Sequence, residues 1–252
     1  MVTRSNIPLI GSDIEKYKMP DVGMVEWERA LLAGNGSKDS PIVTEHGQYH
    51  PDNLFFEMAG LPCANAAEFL ANYNTMSNII EVAAGMKLRG VNYVEDVVTR
   101  TDTPRLYRVS RTFGCSPDMR DGEYRRHVPR SVKRRALREA GAHFHFQLRP
   151  DIRDTIYFYN EVENGRRIKE WRESGTYVRD MVREISDELA LFHQWEHPNE
   201  MPWYRIPGTY RLKPYGLEYR SIGAGIIEDT TMFPMLIERC FSLLHDHWST
   251  VT

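Results

Sequence analysis

The sequence predicts an α+β domain, and three observations carry that expectation. Several short stretches alternate polar and apolar side chains with a period of two, as half-buried strands do. Other stretches return apolar residues at three- and four-residue spacing, as amphipathic helices do. The strand-like stretches also gather chemistry on one face. In Arg205 to Ser221 (RIPGTYRLKPYGLEYRS), Gly216, Glu218 and Arg220 face one way, and Leu217, Tyr219 and Ser221 the other. Arg205 and Arg211 reach the same carboxylate from the preceding loop.

Taken in order, Ile7 to Lys18 begins apolar and then alternates, a strand with Asp13, Glu15 and Tyr17 on one face. Trp27 to Leu32 forms a short helical turn, and Gly34 to Pro41 is a loop rich in Gly, Ser and Asp. Glu45 to Met58 ends as a second strand, with Asn53, Phe55 and Glu57 on a shared face. Asn65 and Glu68 make a capping box. Phe69, Tyr73, Met76, Ile80 and Ala83 then form the core stripe of a helix that ends near Gly85 or Gly90.

Phe113 to Asp118 is a turn-rich loop followed by a basic run. Ala142 to Leu148 is the cleanest strand, with His143, His145 and Gln147 opposite Phe144, Phe146 and Leu148. Thr155 to Asn160 is expected as its hairpin or sheet neighbour. Gly165 to Trp195 reads as one long amphipathic helix with Tyr177, Met181, Ile185, Leu189 and Phe192 as its stripe. Asp229 caps a last helix that buries Phe233, Leu236, Cys240, Leu244 and Trp248.

The chain has 252 residues, enough for a sizeable core, and no repeat or linker divides it, so one domain over 1–252 is expected. A formal net charge of −3 creates no global field toward nucleic acid or anionic membrane. Charge is concentrated only in the run from Arg125 to Arg138, which holds seven arginines and lysines. A solvated surface, a flap over substrate and a nucleic-acid contact are its three readings. Cys63, Cys115 and Cys240 are odd in number and widely spaced, which reads as free thiols in a reducing compartment. No apolar run suits a leader or a membrane span, so a cytoplasmic protein is expected.

Four strands therefore carry polar groups on one face: Asp13/Glu15, Asn53/Glu57, His143/His145 and Glu218/Arg220. A His-x-His pair or a strand carboxylate alone is more often a hydrogen-bonded or solvated surface feature. Together they make a mixed oxygen and nitrogen donor set suited to magnesium or manganese. Arginines beside it match the needs of a transferring phosphoryl group.

The blocks IGSDIE, QYHPDNLFFEMA, FGCSPD, GAHFHF and RLKPYGLEYRS resemble, in order, the phage-type carboxylate–amine ligases (amidoligases). That family is similar to the wider glutamine synthetase and glutamate–cysteine ligase superfamily. The resemblance implies a curved, mostly antiparallel sheet with helices on its outer side and the site on the concave face. It implies ATP- and magnesium- or manganese-dependent joining of a carboxylate to an amine through an acyl phosphate. Asp13, Glu15, Glu57, His143 and Glu218 would be metal ligands. Glu218, Arg220 and Arg211 would serve the chemistry, and His145, Arg205 and Lys213 would bind the nucleotide. The sequence departs from the family with Asp13 in the first motif and Ala-His-Phe-His-Phe in the histidine block. The family's name implies a bacteriophage gene expressed in a host cytoplasm. Carboxylate and amine stay unnamed, and an oligomer is compatible with the superfamily. Two other readings remain: an inactive ligase fold that binds nucleic acid or a protein through the basic run, and a metal-dependent hydrolase using His143 and His145.

Overall fold

The computed structural model describes residues 7–52, 54–91, 93–94, 102–103, 105–106, 118–120, 123–125, 138–163, 166–196 and 207–249. The strands are β1 (Ile10–Lys18), β2 (Ile42–Thr44), β3 (Gly47–Asp52), β4 (Phe55–Cys63), β5 (Leu88–Arg89), β6 (Tyr93–Val94), β7 (Asp118–Arg120), β8 (Glu123–Arg125), β9 (Arg138–Glu139), β10 (Ala142–Gln147), β11 (Ile156–Glu163), β12 (Arg166–Glu173), β13 (Tyr210–Lys213) and β14 (Gly216–Tyr219). The helices are α1 (Met24–Leu32), α2 (Ala66–Ala84), α3 (Pro150–Arg153), α4 (Tyr177–Glu188), α5 (Ala190–Glu196) and α6 (Met232–Ser249). The chain is α+β.

One sheet holds ten of the strands, in the order β2-β3-β4-β1-β10-β14-β13-β7-β8, with β5 paired to the end of β1. Its described pairings are antiparallel. Period-two alternation divides the sheet into two faces. On the apolar face, Ile14 lies opposite Met58, Phe144 opposite Tyr219, and Phe146 between Ile10 and Leu217. All of these side chains are buried.

Helices α2 and α6 cover that face. Phe69 of α2 packs against Phe144 at 6.1 Å and against Phe241 of α6 at 6.4 Å between ring centroids, while Tyr73 meets Phe233 at 4.9 Å. Each such large side chain contributes about 1.5–3 kcal/mol by leaving water. Half of the expected capping box is present: the N-cap Asn65 Oδ1 accepts from the Glu68 N–H, while the Glu68 carboxylate accepts from the N–H of Ala64, one residue before the cap. The helix stops at Gly85, whose φ of 67° suits a residue without a Cβ. Lys16 of β1 reaches α2 on this layer. Its Nζ lies 2.5 Å from Ser77 Oγ and 3.5 Å from Glu81 Oε1. Burial lowers its pKa while Glu81 opposes the shift.

Two expectations are corrected. The long helix from Gly165 is instead strand β12, then α4, then α5. Asn164-Gly165 is the strongest short-range hairpin dipeptide, and it stands between two runs of strand-forming residues. β11, expected beside β10, pairs with β12 in a separate two-stranded unit; the neighbours of β10 are β1 and β14. The stripe Met181, Ile185, Leu189 and Phe192 is buried as expected. Asp229 accepts from the Thr231 and Met232 N–H groups at the start of α6. Cys63 and Cys240 are free and buried; Cys115 and residues 126–137 of the basic run lie outside the described residues.

Candidate functional site

The second face of the sheet is polar. Register places its groups in rows, because residues directly opposite on antiparallel strands share a face. His50, Glu57 and Glu15 form one row across β3, β4 and β1. Asp13 lies opposite His143 on β10. His145, Glu218 and Arg211 form a further row across β10, β14 and β13. Six adjacent strands thus contribute, and the side chains lie on the face opposite α2 and α6.

The face has two poles. At the β3–β4–β1 end stand Asp52, Glu57, Glu15 and Asp13. Glu57 and Glu15 are in direct register, an arrangement that disfavours two like charges. Burial, then Asp13 and Glu15, push the Glu57 carboxyl up to about 8, with Lys38 opposing and Asp52 adding. Glu15 Oε2 accepts from the Gly141 N–H. His50, Asp52 and Glu57 each present a ligand atom within 4.8 Å of the others, so the trio could hold a metal ion. Lys38 Nζ, on an exposed side chain, reaches Asp52 Oδ2 at 3.1 Å.

At the β14–β13 end, cations gather on Glu218. Its Oε1 pairs with Arg220 Nη1 and lies 3.9 Å from Arg211 Nη1, and its Oε2 lies 2.7 Å from Lys213 Nζ. Burial alone would raise the Glu218 carboxyl, but Arg220, Lys213, His145 and Arg211 together hold it well below the usual carboxylate range. Glu218, expected among the metal ligands, has both oxygens turned to cations.

The two imidazoles of β10 lie between the poles with different partners. His143 Nδ1 is 3.2 Å from Arg220 Nη1 and 3.5 Å from Glu218 Oε1. His145 Nε2 is 3.0 Å from Asp13 Oδ2, and its Nδ1 is hydrogen-bonded to Tyr215 Oη, a ring that also stacks on it. Burial, followed by Glu218 and Asp13, pushes the Tyr215 phenol upward.

The structure therefore brings Asp13, Glu15, Glu57, His143, His145, Arg211, Lys213, Glu218 and Arg220 onto one face. Arg205 and Asn53 lie outside the described residues. Arg211, expected on a loop, sits on β13 opposite Glu218 because Tyr210–Lys213 is a strand. His50, Asp52, Lys38 and Tyr215 were missed. The expectation of a single strand at the end of Glu45 to Met58 gives way to two, since β3 and β4 pair antiparallel and set His50 opposite Glu57. The Asp52-Asn53 pair was the available turn signal.

No family model, curated protein or solved structure matches the chain. No helix among the described residues is long and apolar enough to cross a membrane.

Proposed function

We propose that the chain is an ATP-dependent carboxylate–amine ligase working on the polar face of the sheet. One observation carries the reading: a single face with an acidic pole and a basic pole, joined by two imidazoles. A metal–nucleotide complex has the complementary pattern, with a dication beside a polyanionic chain. The donor set fits a hard or borderline dication, since repelling carboxylates in register and a buried imidazole gain from positive charge between them. Glu57, Glu15, Asp13 and Asp52 would hold it. When bound, such an ion would offset phosphate charge and help orient the triphosphate.

Arg220, Arg211 and Lys213 receive the γ-phosphoryl group in this reading. Arginine suits it because a planar guanidinium meets two phosphate oxygens at once. Glu218 keeps the three cations converged, and its carboxylate gives ground as phosphate arrives. The γ-phosphoryl passes to a carboxylate oxygen of the substrate, and ADP leaves. The amine nitrogen then bonds to the acyl carbon, phosphate departs with the former carboxylate oxygen, and the amine loses a proton. His143, bonded to Arg220, and His145, fixed between Asp13 and Tyr215, orient the groups on either side of the reacting carboxylate.

The test is ADP and phosphate release by the purified chain with magnesium or manganese, against a panel of carboxylates and amines, beside Glu218→Gln. Turnover is expected to need both co-substrates and to vanish in the variant while its circular dichroism is unchanged. ATP turnover that ignores amine and carboxylate, or persists in the variant, overturns the reading.

A further inference from the structure

We propose that His50 is a metal ligand and that, with Asp52 and Glu57, it makes a mixed nitrogen–oxygen site that selects a first-row transition dication over magnesium. The inference deepens the metal half of the reading above, but it requires neither ATP nor ligation.

The first observation is an orphaned side chain. His50 is 4% exposed, and neither ring nitrogen has a hydrogen-bond partner among the described residues. A buried polar atom without a partner costs about 1–3 kcal/mol, and native proteins keep few of them. Here two sit on one ring. The nearest acidic atom is Glu57 Oε1, 3.7 Å from Nε2, which is too long for a hydrogen bond.

The second observation is what the ring faces. Antiparallel register sets His50 opposite Glu57, and the period of two puts Asp52 on the same face. The three donor atoms fall within 4.8 Å of one another. Two ligands that share an ion at about 2.0–2.2 Å each stand no more than about 4.4 Å apart. Small side-chain rotations close that difference without moving a strand. A metal thus satisfies the imidazole and relieves the carboxylates in one step. Lys38, paired with Asp52, is no obstacle, because its side chain is exposed and such surface pairs contribute only about 0–1 kcal/mol.

Selectivity follows from the donor atoms. Magnesium is hard, keeps its waters and gains little from an imidazole in place of an oxygen. First-row transition dications accept imidazole readily, with affinity rising from manganese through copper. Manganese is the weakest binder of that series and therefore the strictest probe. If His50 is a ligand, even manganese holds more tightly than magnesium.

The full chain, freed of metal by a chelator and without nucleotide, is titrated with manganese chloride and with magnesium chloride by calorimetry. Wild type is expected to bind manganese at least about tenfold more tightly, a difference of about 1.4 kcal/mol. His50→Asn is expected to weaken manganese binding by about 10–100-fold and to leave magnesium within about threefold. Equal affinities in wild type, or unchanged manganese affinity in His50→Asn, overturn the proposal. Pulsed electron paramagnetic resonance of the wild-type manganese complex decides the matter without relying on the variant's folding. A directly coordinated nitrogen is expected, and its absence overturns the proposal; so does a nitrogen signal that survives in a folded His50→Asn. Because no nucleotide is present, failure of ATP turnover would remove the ligase reading and leave this site standing.

Discussion

Glu57 carries the clearest conflict of any single residue. It is half-buried in register with Glu15 and feels Asp13 and Asp52 as well. Burial, then Asp13 and Glu15, push its carboxyl from an ordinary value of 4.5 up to about 8. A group whose folded pKa is raised stabilises the fold below its unfolded pKa, and that contribution is lost as pH rises through the folded value. With a chelator present, the melting temperature should therefore fall between about pH 5 and pH 8. Glu57→Gln, which cannot ionise, should flatten the fall and melt higher at pH 8, by on the order of 1–2 kcal/mol or a few degrees. Scanning calorimetry at a series of pH values checks it; an unchanged slope in Glu57→Gln would place the repulsion elsewhere. The basic pole makes a separate prediction. If the chain is the proposed ligase, Arg220→Lys keeps a charge but loses the planar guanidinium that pairs with Glu218 and His143, so turnover should drop roughly 10²-fold with little change in melting temperature. Turnover near wild type would mean that Arg220 serves only to hold the strand.

At the scale of elements, the hairpin β13–β14 delivers the basic pole, and Gly216 sets where it lies. Its φ is 150°, and an added Cβ would come within 2.3 Å of Phe146 O and 2.9 Å of Leu148 N, both backbone atoms. Gly216→Ala should push β14 off β10, displacing Glu218 from His145, and should lower both stability and nucleotide affinity. A fully stable variant with intact affinity would show that the strands yield there at no cost. The same pattern of contacts explains what the sequence made legible. Period-two alternation in β1, β10 and β14 could be read because polar and apolar side chains alternate along each strand, and helix α2 because its cap and its stopping glycine are local. Register is not local. Nothing in the spacing says that Asp13 lies opposite His143 or Glu57 opposite Glu15, so the sequence could group these residues by strand face but not pair them. Turn chemistry is the other gap: Asn164-Gly165 and Asp52-Asn53 are turn signals in the sequence, and they stand where β11 gives way to β12 and β3 to β4.

For the molecule as a whole, one sheet separates two tasks. The face under α2 and α6 supplies the core, and the opposite face spends part of that stability on like charges held close together. Glu218 and Lys38 aside, the carboxylates and the cations of this face are sorted to different ends, so a ligand that relieves both ends must bring both signs. Under the proposed ligase reading, nucleotide alone would carry its negative charge toward Asp13 and Glu57, and a dication alone would leave the arginines and Lys213 with Glu218. The linkage should therefore be non-additive. A ligand at one hundred times its dissociation constant stabilises by about 2.7 kcal/mol, which for a chain of this size corresponds to roughly 5–10 °C in melting temperature. ATP with manganese or magnesium should approach that shift, while ATP with chelator, and metal without ATP, should together fall well short of it. Differential scanning fluorimetry across the four conditions reads the outcome directly. An equal shift from ATP in the presence of chelator would mean that the acidic pole plays no part in nucleotide binding, and the two ends of the face would then be separate sites.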